Sequence, residues 1–334
     1  MKVKITNKRI QRVIMAGMIC GTGSYIPSYT MDNSDIAKLV ETSDEWIRER
    51  TGVARRHIAK HETTVFMASE AGKRALENAG IEAEEIDLIL VATISSDVIL
   101  PCTACEVQRE LGAIHATCFD IGGAACTGFV IAYNTAVAYL TGGIYRTALV
   151  IGSESLSNLT NWDDRGTCIL FGDGAGAAVV STDKKICYFP VTHSEGAKGT
   201  ALTCSSRCQG GKGLPEEKYF IQMDGQEVFK FAVKRVPEVI REVLGLNGLA
   251  QEDVALYILH QANRRIVEAV AKRLDEPIEK FPMNLEEYGN TSSASIPILL
   301  DELNREGMLR RGQRLVLVGF GAGLTWGAAV TEWQ

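Results

Sequence analysis

Residues 79–93, AGIEAEEIDLILVAT, and residues 247–261, NGLAQEDVALYILHQ, read as the same local event. A glycine ends a helical run, a few polar residues turn the chain, and an apolar strand follows. Gly80 matches Gly248, an offset of 248 − 80 = 168 residues. Residues 145–153, YRTALVIGS, and 312–320, GQRLVLVGF, match in the same way, Gly152 against Gly319, an offset of 319 − 152 = 167. Two separate matches share nearly one offset, about half of the 334-residue chain, so duplication is the economical explanation.

Working outward from these anchors, strand-like runs alternate with helical ones. MAGMICGTG and DLILVAT have strand length, and TVFMASEAGKRALENAG between them has helical spacing. TALVIGSES and GAGAAVVST follow as strands. The pattern predicts an α/β fold of mixed sheets covered by helices, in two similar halves, residues 15–185 and 186–334. The divide falls near the polar STDKK at 181–185. SRCQGGKGLPEEK, residues 206–218, has no partner in the first half and reads as a surface excursion near the mouth of a site. Residues 1–14 are basic and precede a short apolar run, as in a weak signal peptide. That run is short, holds a glycine and flows into GTGSYIP, so residues 1–14 read instead as an extension before the first core strand.

Composition narrows the function. A net charge of −6 and a pI near 5.6 argue against a nucleic-acid binder, and no stretch reaches the roughly 20 apolar residues of a membrane span. Nine cysteines, an odd count placed mostly in apolar segments, suggest reduced thiols in a cytoplasmic protein. Cys102 and Cys105 form a CxxC and Cys204 and Cys208 a CxxxC, but the first pair opens a helical pattern rather than a knuckle turn. No metal site is therefore expected, and no cofactor either. GDGAG at 172–176 and GFGAG at 319–323 fit neither GxGxxG nor a P-loop.

Ligands in such folds gather where strands end and helices begin. Cys126 lies between a strand-like entry and a helical run from Thr127 to Leu140, among small neighbours. A thiol there feels unpaired amides and the positive end of the helix dipole, which favours thiolate. The same position equally suits a buried core cysteine. His260 ends an apolar strand, and Asn290 follows a glycine before another helix. Singly, each reads as structural; together they offer two hydrogen-bond donors, the equipment for stabilising an enolate.

Eight ordered stretches carry a resemblance over residues 15–334: GTGSYIP, TSDEWIRERTGV, AACTGF, DRGTCILFGDGAGA, EVFKFAV, HQANRRI, YGNTSSAS and GFGAGLTWGAA. The chain resembles beta-ketoacyl-acyl carrier protein synthase III of the thiolase superfamily, the initiator of type II fatty acid synthesis. The resemblance implies a thiolase-like fold of duplicated halves in α-β-α-β-α layers and a homodimer. It implies condensation of a short acyl-CoA such as acetyl-CoA with malonyl-acyl carrier protein. It makes Cys126 the acylated nucleophile and His260 and Asn290 the decarboxylation pair, with the amides of Cys126 and Ala322 as the oxyanion hole. Trp46, Arg50 and Arg165 match positions gripping the coenzyme A nucleotide, and Phe229 one in the pantetheine tunnel. Phe320 stands beside the thiol, and Leu100 at the floor of the primer pocket. The basic cluster Arg264, Arg265, Lys272 and Arg273 beside the tunnel mouth is read as a dock for acidic carrier protein.

Three departures stand out. Five residues, IGGAA, separate Asp120 from Cys126 where four are expected, so the turn before the nucleophile must bulge. Ala322 replaces a usual glycine, which is tolerated if the backbone needs no positive φ. Leu100 stands where some relatives carry Phe. A non-decarboxylating thiolase would need a second cysteine near the C-terminal glycine turn, and none follows Cys208. A specialised acyltransferase or condensing enzyme of secondary metabolism is the closest alternative. A non-catalytic scaffold would be expected to have lost Cys126, His260 or Asn290.

Overall fold

The computed structural model describes residues 17–182, 188–205 and 219–334. The expected extension at 1–14, the divide at 185/186 and the excursion at 206–218 lie outside the described residues.

The first sheet is built from β1 (Met18–Tyr25), β2 (Leu88–Ala92), β3 (Thr117–Ile121), β4 (Thr147–Ser155) and β5 (Asp173–Ser181), in the order β1-β5-β4-β2-β3. The second contains β6 (Val191–Ser194), β7 (Leu256–Leu259), β8 (Arg314–Gly321) and β9 (Thr325–Glu332), in the order β6-β9-β8-β7. In both sheets the first two pairings are antiparallel and the third parallel. The register repeats as well. Leu88 faces Ala148 across β2 and β4, and Leu256 faces Leu315 across β7 and β8. The offsets, 256 − 88 = 168 and 315 − 148 = 167, are those of the sequence repeat. The first sheet differs by one added edge strand, β3.

The helices bracketing these strands are α1 (Asp44–Thr51), α2 (Thr64–Ala79), α3 (Thr103–Leu111), α4 (Gly128–Thr141), α5 (Gly225–Asn247), α6 (Arg264–Leu274) and α7 (Ser295–Arg305). Local chemistry explains their ends. Thr63 and Asp224 cap the starts of α2 and α5 through their side chains, and Gly80 and Gly248 end them at φ +64° and +68°. Every residue of β2 is buried, as a central parallel strand covered on both faces requires. Apolar faces of α4 and α7 pack between the two sheets, α2 and α3 cover the outer face of the first, and α5 and α6 that of the second. The result is five layers, α-β-α-β-α. Among the described residues no helix is long and apolar enough to cross a membrane.

Candidate active site

β3 delivers the chain to the start of α4 through residues 122–125. Gly123 takes φ +74° with open space around it, which accommodates the additional residue, and Ala125 takes φ +43°. A 3₁₀ turn, Ala125–Thr127, then presents Cys126. A Cβ on Gly321, at the end of β8, would lie 2.9 Å from Cys126 Cβ and 3.5 Å from its Sγ, so only glycine permits this approach. Ala322 lies next along and lines the same cavity. Its φ is not positive, which answers the condition placed on that substitution. Thr325 Oγ1 donates to Ala322 O at 2.8 Å and lies 2.8 Å from Thr127 Oγ1, tying the two turns together.

His260 follows β7, its amide donating to Val318 O at 2.8 Å. Its imidazole is 1% exposed, meets the Phe320 ring edge-on at 5.2 Å, and sets Nδ1 2.7 Å from Ser295 Oγ. Asn290 is held by backbone bonds to the first half: its N–H donates to Leu170 O at 2.8 Å, and Gly172 N–H donates to its carbonyl at 3.1 Å. Ser292 N–H donates to Asn290 Oδ1 at 2.9 Å. With the oxygen so engaged, the amide nitrogen is the end left to serve the cavity as a donor.

Burial dominates the electrostatics. It pushes the Cys126 thiol up to about 12, with the nearby Ser292 side chain opposing the rise and the nearby Glu154 adding to it. The thiolate expected from the helix start is thus not the resting form. Cys126 sits two residues before α4 begins, in a dry turn, and desolvation outweighs the dipole there. Burial also lowers His260 to about 3, so the ring is neutral.

Sequence reading passed over Glu154. It is fully buried at the end of β4, and burial raises its pKa. Its carboxyl accepts from Ser95 Oγ at 2.7 Å, Ser293 Oγ at 2.8 Å and Ile94 N–H at 3.1 Å. It therefore fastens the Ser292–Ala294 turn of the second half to the first. The available signal was the run of hydroxyl residues in NTSSAS ahead of a helix, which carries Ser292, Ser293 and Ser295.

Cys126, His260, Asn290, Ala322, Phe320 and Phe229 all line one cavity of about 240 Å³, with mainly apolar walls such as Leu156, Leu170 and Met223. Thr51 and Gly166 belong to its wall, which brings the adjacent Arg50 and Arg165 to its rim. Trp46 stands beside both guanidinium groups, 5.8 Å from Arg50 and 4.9 Å from Arg165. On α6, Arg265 lies 5.4 Å from the Phe229 ring and Lys272 is exposed. The other two basic residues are engaged: Arg264 pairs with Glu286 at 2.9 Å, and Arg273 donates to Val233 O at 2.9 Å. Leu100 is not brought into this group. It is 84% exposed, on the loop between β2 and α3, and does not line the cavity. Cys102 occupies the N-cap position of α3 without a side-chain capping bond, and its Sγ lies 3.3 Å from Cys105 Sγ; Cys208 lies outside the described residues.

A family model described as 3-Oxoacyl-[acyl-carrier-protein (ACP)] synthase III matches residues 119–195, and one for the C-terminal part of that protein matches 244–333. The chain is 46% identical over 322 residues to a beta-ketoacyl-[acyl-carrier-protein] synthase III of Clostridium botulinum, covering 95% of this chain and 98% of that one. The crystal structure of 3-oxoacyl-[acyl-carrier-protein] synthase III from Aquifex aeolicus superposes with a TM-score of 0.89 at 43% identity, covering 95% of this chain and all of that one. The priming beta-ketosynthase from the R1128 polyketide biosynthetic pathway superposes with a TM-score of 0.92 at 35% identity, covering 96% and 97%.

Proposed function

The chain belongs to the beta-ketoacyl-(3-oxoacyl-)[acyl-carrier-protein] synthase III family, and from that premise we propose that Cys126, His260 and Asn290 divide its reaction between them. The protein is a condensing acyltransferase that initiates fatty acid synthesis, using acyl-CoA and malonyl-acyl carrier protein. In the proposed course, Cys126 attacks the acyl-CoA carbonyl while the amides of Cys126 and Ala322 hold the oxyanion. CoA leaves with the thiol proton, and malonyl-carrier protein enters the same cavity. His260 and Asn290 donate hydrogen bonds to its thioester oxygen as carbon dioxide departs. The carbanion then attacks the acyl-cysteine, expelling Cys126 and giving 3-oxoacyl-carrier protein.

The observation carrying this reading is the convergence of Cys126, His260 and Asn290 on one cavity whose apolar walls suit a pantetheine arm and an acyl chain. Trp46, Arg50 and Arg165 at its rim suit an adenine ring and phosphates. Arg265 and Lys272 offer uncompensated charge for an acidic carrier protein. The relatives at 46% identity, named for the initiating synthase, weigh against a specialised condensing reaction.

We also propose a homodimer. Among the described residues β3 leaves one sheet edge open, and Val98, Ile99 and Leu100 form an exposed apolar run ahead of α3. The odd count of nine cysteines, placed mostly in apolar segments of the sequence, supports a cytoplasmic setting. The direct test is to supply acetyl-CoA and malonyl-carrier protein and measure carbon dioxide and 3-oxobutyryl-carrier protein. Carbon dioxide without the condensed product, or neither, would overturn the reading.

A further inference from the structure

Three groups surround the Ser295 hydroxyl at the start of α7. Ser292 O, at 2.8 Å, can only accept a hydrogen bond, and the Gln261 N–H, at 3.3 Å, can only donate one. His260 Nδ1, at 2.7 Å, can do either. A hydroxyl has one hydrogen and two lone pairs, so two arrangements satisfy it. In the first, Ser295 donates to Ser292 O and receives hydrogens from Gln261 and Nδ1. His260 is then the Nδ1–H tautomer, and Nε2 offers the cavity a bare lone pair. In the second, Ser295 turns its hydrogen onto Nδ1. The ring is then the Nε2–H tautomer and offers the cavity a donor.

The first arrangement pairs every group, and the second leaves Ser292 O without this donor. Only the second lets His260 donate to a thioester oxygen. A protonated ring would donate at both nitrogens and make the choice irrelevant, but the buried imidazole is neutral down to about pH 3. We propose that Ser295 is a positioning residue that sets the tautomer of His260, holding Nε2–H in place for decarboxylation by donating its hydroxyl hydrogen to Nδ1. This rests on the reading of His260 as a donor in the second half-reaction, and adds to it the group that makes the donor available.

The variant Ser295→Ala removes the one hydroxyl facing Nδ1. The Nδ1–H tautomer keeps a neighbouring acceptor, because the Ser292 backbone also favours a hydrogen on the ring. The donor tautomer loses its support. Decarboxylation of malonyl-carrier protein by the acylated variant is expected to fall 10- to 100-fold at unchanged KM, with self-acylation from acetyl-CoA within threefold of the parent. Ser295→Thr, which keeps a hydroxyl, should restore most of the lost rate. In ¹⁵N-histidine spectra of the acyl-enzyme, the hydrogen-bearing nitrogen of His260 should shift from Nε2 to Nδ1 in the alanine variant. Equal loss of both half-reactions, no loss in either, or an unchanged tautomer would overturn the inference. Should Ser295→Ala not fold, the parent spectrum decides: Nε2–H in the acyl-enzyme supports the inference, and Nδ1–H alone refutes it. His260→Ala separates the two readings. If it leaves decarboxylation intact, the donor role of His260 fails; if it abolishes decarboxylation while Ser295→Ala does not, only the role of Ser295 fails.

Discussion

Ala125 and Ser292 hold the same left-handed backbone, φ +43° and +48°, at positions 292 − 125 = 167 residues apart. Each opens a 3₁₀ turn, 125–127 and 292–294, that feeds a helix of the central layer. Such a conformation costs a non-glycine residue on the order of 1 kcal/mol or more, so the surrounding packing must hold it. That packing comes from the opposite half in both cases. A Cβ on Gly319 would lie 2.9 Å from Thr127 Cα, and one on Gly152 would overlap Ser293 O. Gly152→Ala should therefore displace the Ser292–Ala294 turn and lower condensation at least 100-fold, with a loss of about 2–3 kcal/mol in stability from overpacking. Denaturant unfolding beside a condensation assay checks it; near-parental values in both would show that the turn yields freely.

Cys126 should be the sole site of acylation. After incubation with acetyl-CoA and digestion, the added acetyl mass should lie on the peptide holding Cys126, and Cys126→Ser should not acquire it as a thioester. With the thiol pushed up to about 12, the free enzyme should alkylate slowly near neutrality. The iodoacetamide rate at Cys126 should rise about tenfold per pH unit between pH 7 and 10, because the thiolate fraction does. A rate that levels off near pH 9 would place the thiol pKa in the ordinary range, and a plateau below pH 8 would place it lower still; either outcome counts against the desolvation argument. Acetyl mass on Cys118 or Cys168 would end the assignment.

Asn290→Ala should still self-acylate but lose decarboxylation of malonyl-carrier protein by two to three orders of magnitude, about 3–4 kcal/mol for one preorganised donor. Its backbone bonds to Leu170 and Gly172 do not involve the side chain and should survive. The bond from Ser292 N–H to Oδ1 would be lost, so the two half-reactions must be timed separately. If both fell together, Asn290 would be maintaining the turn or the nucleophile and not the enolate.

The repeat was legible in sequence because glycines at helix ends and buried parallel strands are local signals, and Gly80 and Gly248 proved to end equivalent helices. The edge strand β3 broke the equivalence without any local mark, since nothing in TCFDI distinguishes an edge from an interior strand. Cys126, His260 and Asn290 could be nominated from strand-to-helix junctions. Their supports could not: Glu154, Ser292 and Ser295 act through contacts 59 to 139 residues away or across a tight turn, and sequence spacing carries no trace of these. The expected thiolate failed for the same reason. A helix start is visible in sequence, whereas the dryness around Sγ is a property of the assembled halves.

Arg265→Glu should raise the KM for malonyl-carrier protein about tenfold, equivalent to about 1.4 kcal/mol, with little change in transfer from acetyl-CoA. Arg265 is the member of the basic cluster whose guanidinium sits at the Phe229 rim, and it is exposed. Arg264→Glu places a like charge beside Glu286 and should destabilise the fold locally, so it is the weaker probe. The effect at Arg265 should shrink in high salt, because an exposed contact is screened. An unchanged KM at low salt would leave the α6 face without a docking role.

Leu100 tests the dimer and the primer pocket together. Within one chain it is 84% exposed and takes no part in the cavity, so it can close the acyl site only of a second copy. Leu100→Asp should therefore weaken self-association in sedimentation equilibrium by burying a charge at the proposed contact. Leu100→Phe should leave association intact and shorten the pocket. Each methylene that no longer fits forfeits about 0.8 kcal/mol, so the two additional methylenes of butyryl-CoA over acetyl-CoA amount to roughly a 15-fold change in relative kcat/KM. Isobutyryl-CoA should suffer similarly. If Leu100→Asp associates normally, the apolar run at 98–100 is not the contact. If Leu100→Phe dimerises yet shows the parental primer profile, the run joins the subunits without reaching the acyl chain, and the floor of the pocket must be sought among residues that line the cavity within the chain itself, such as Ile94 or Phe320.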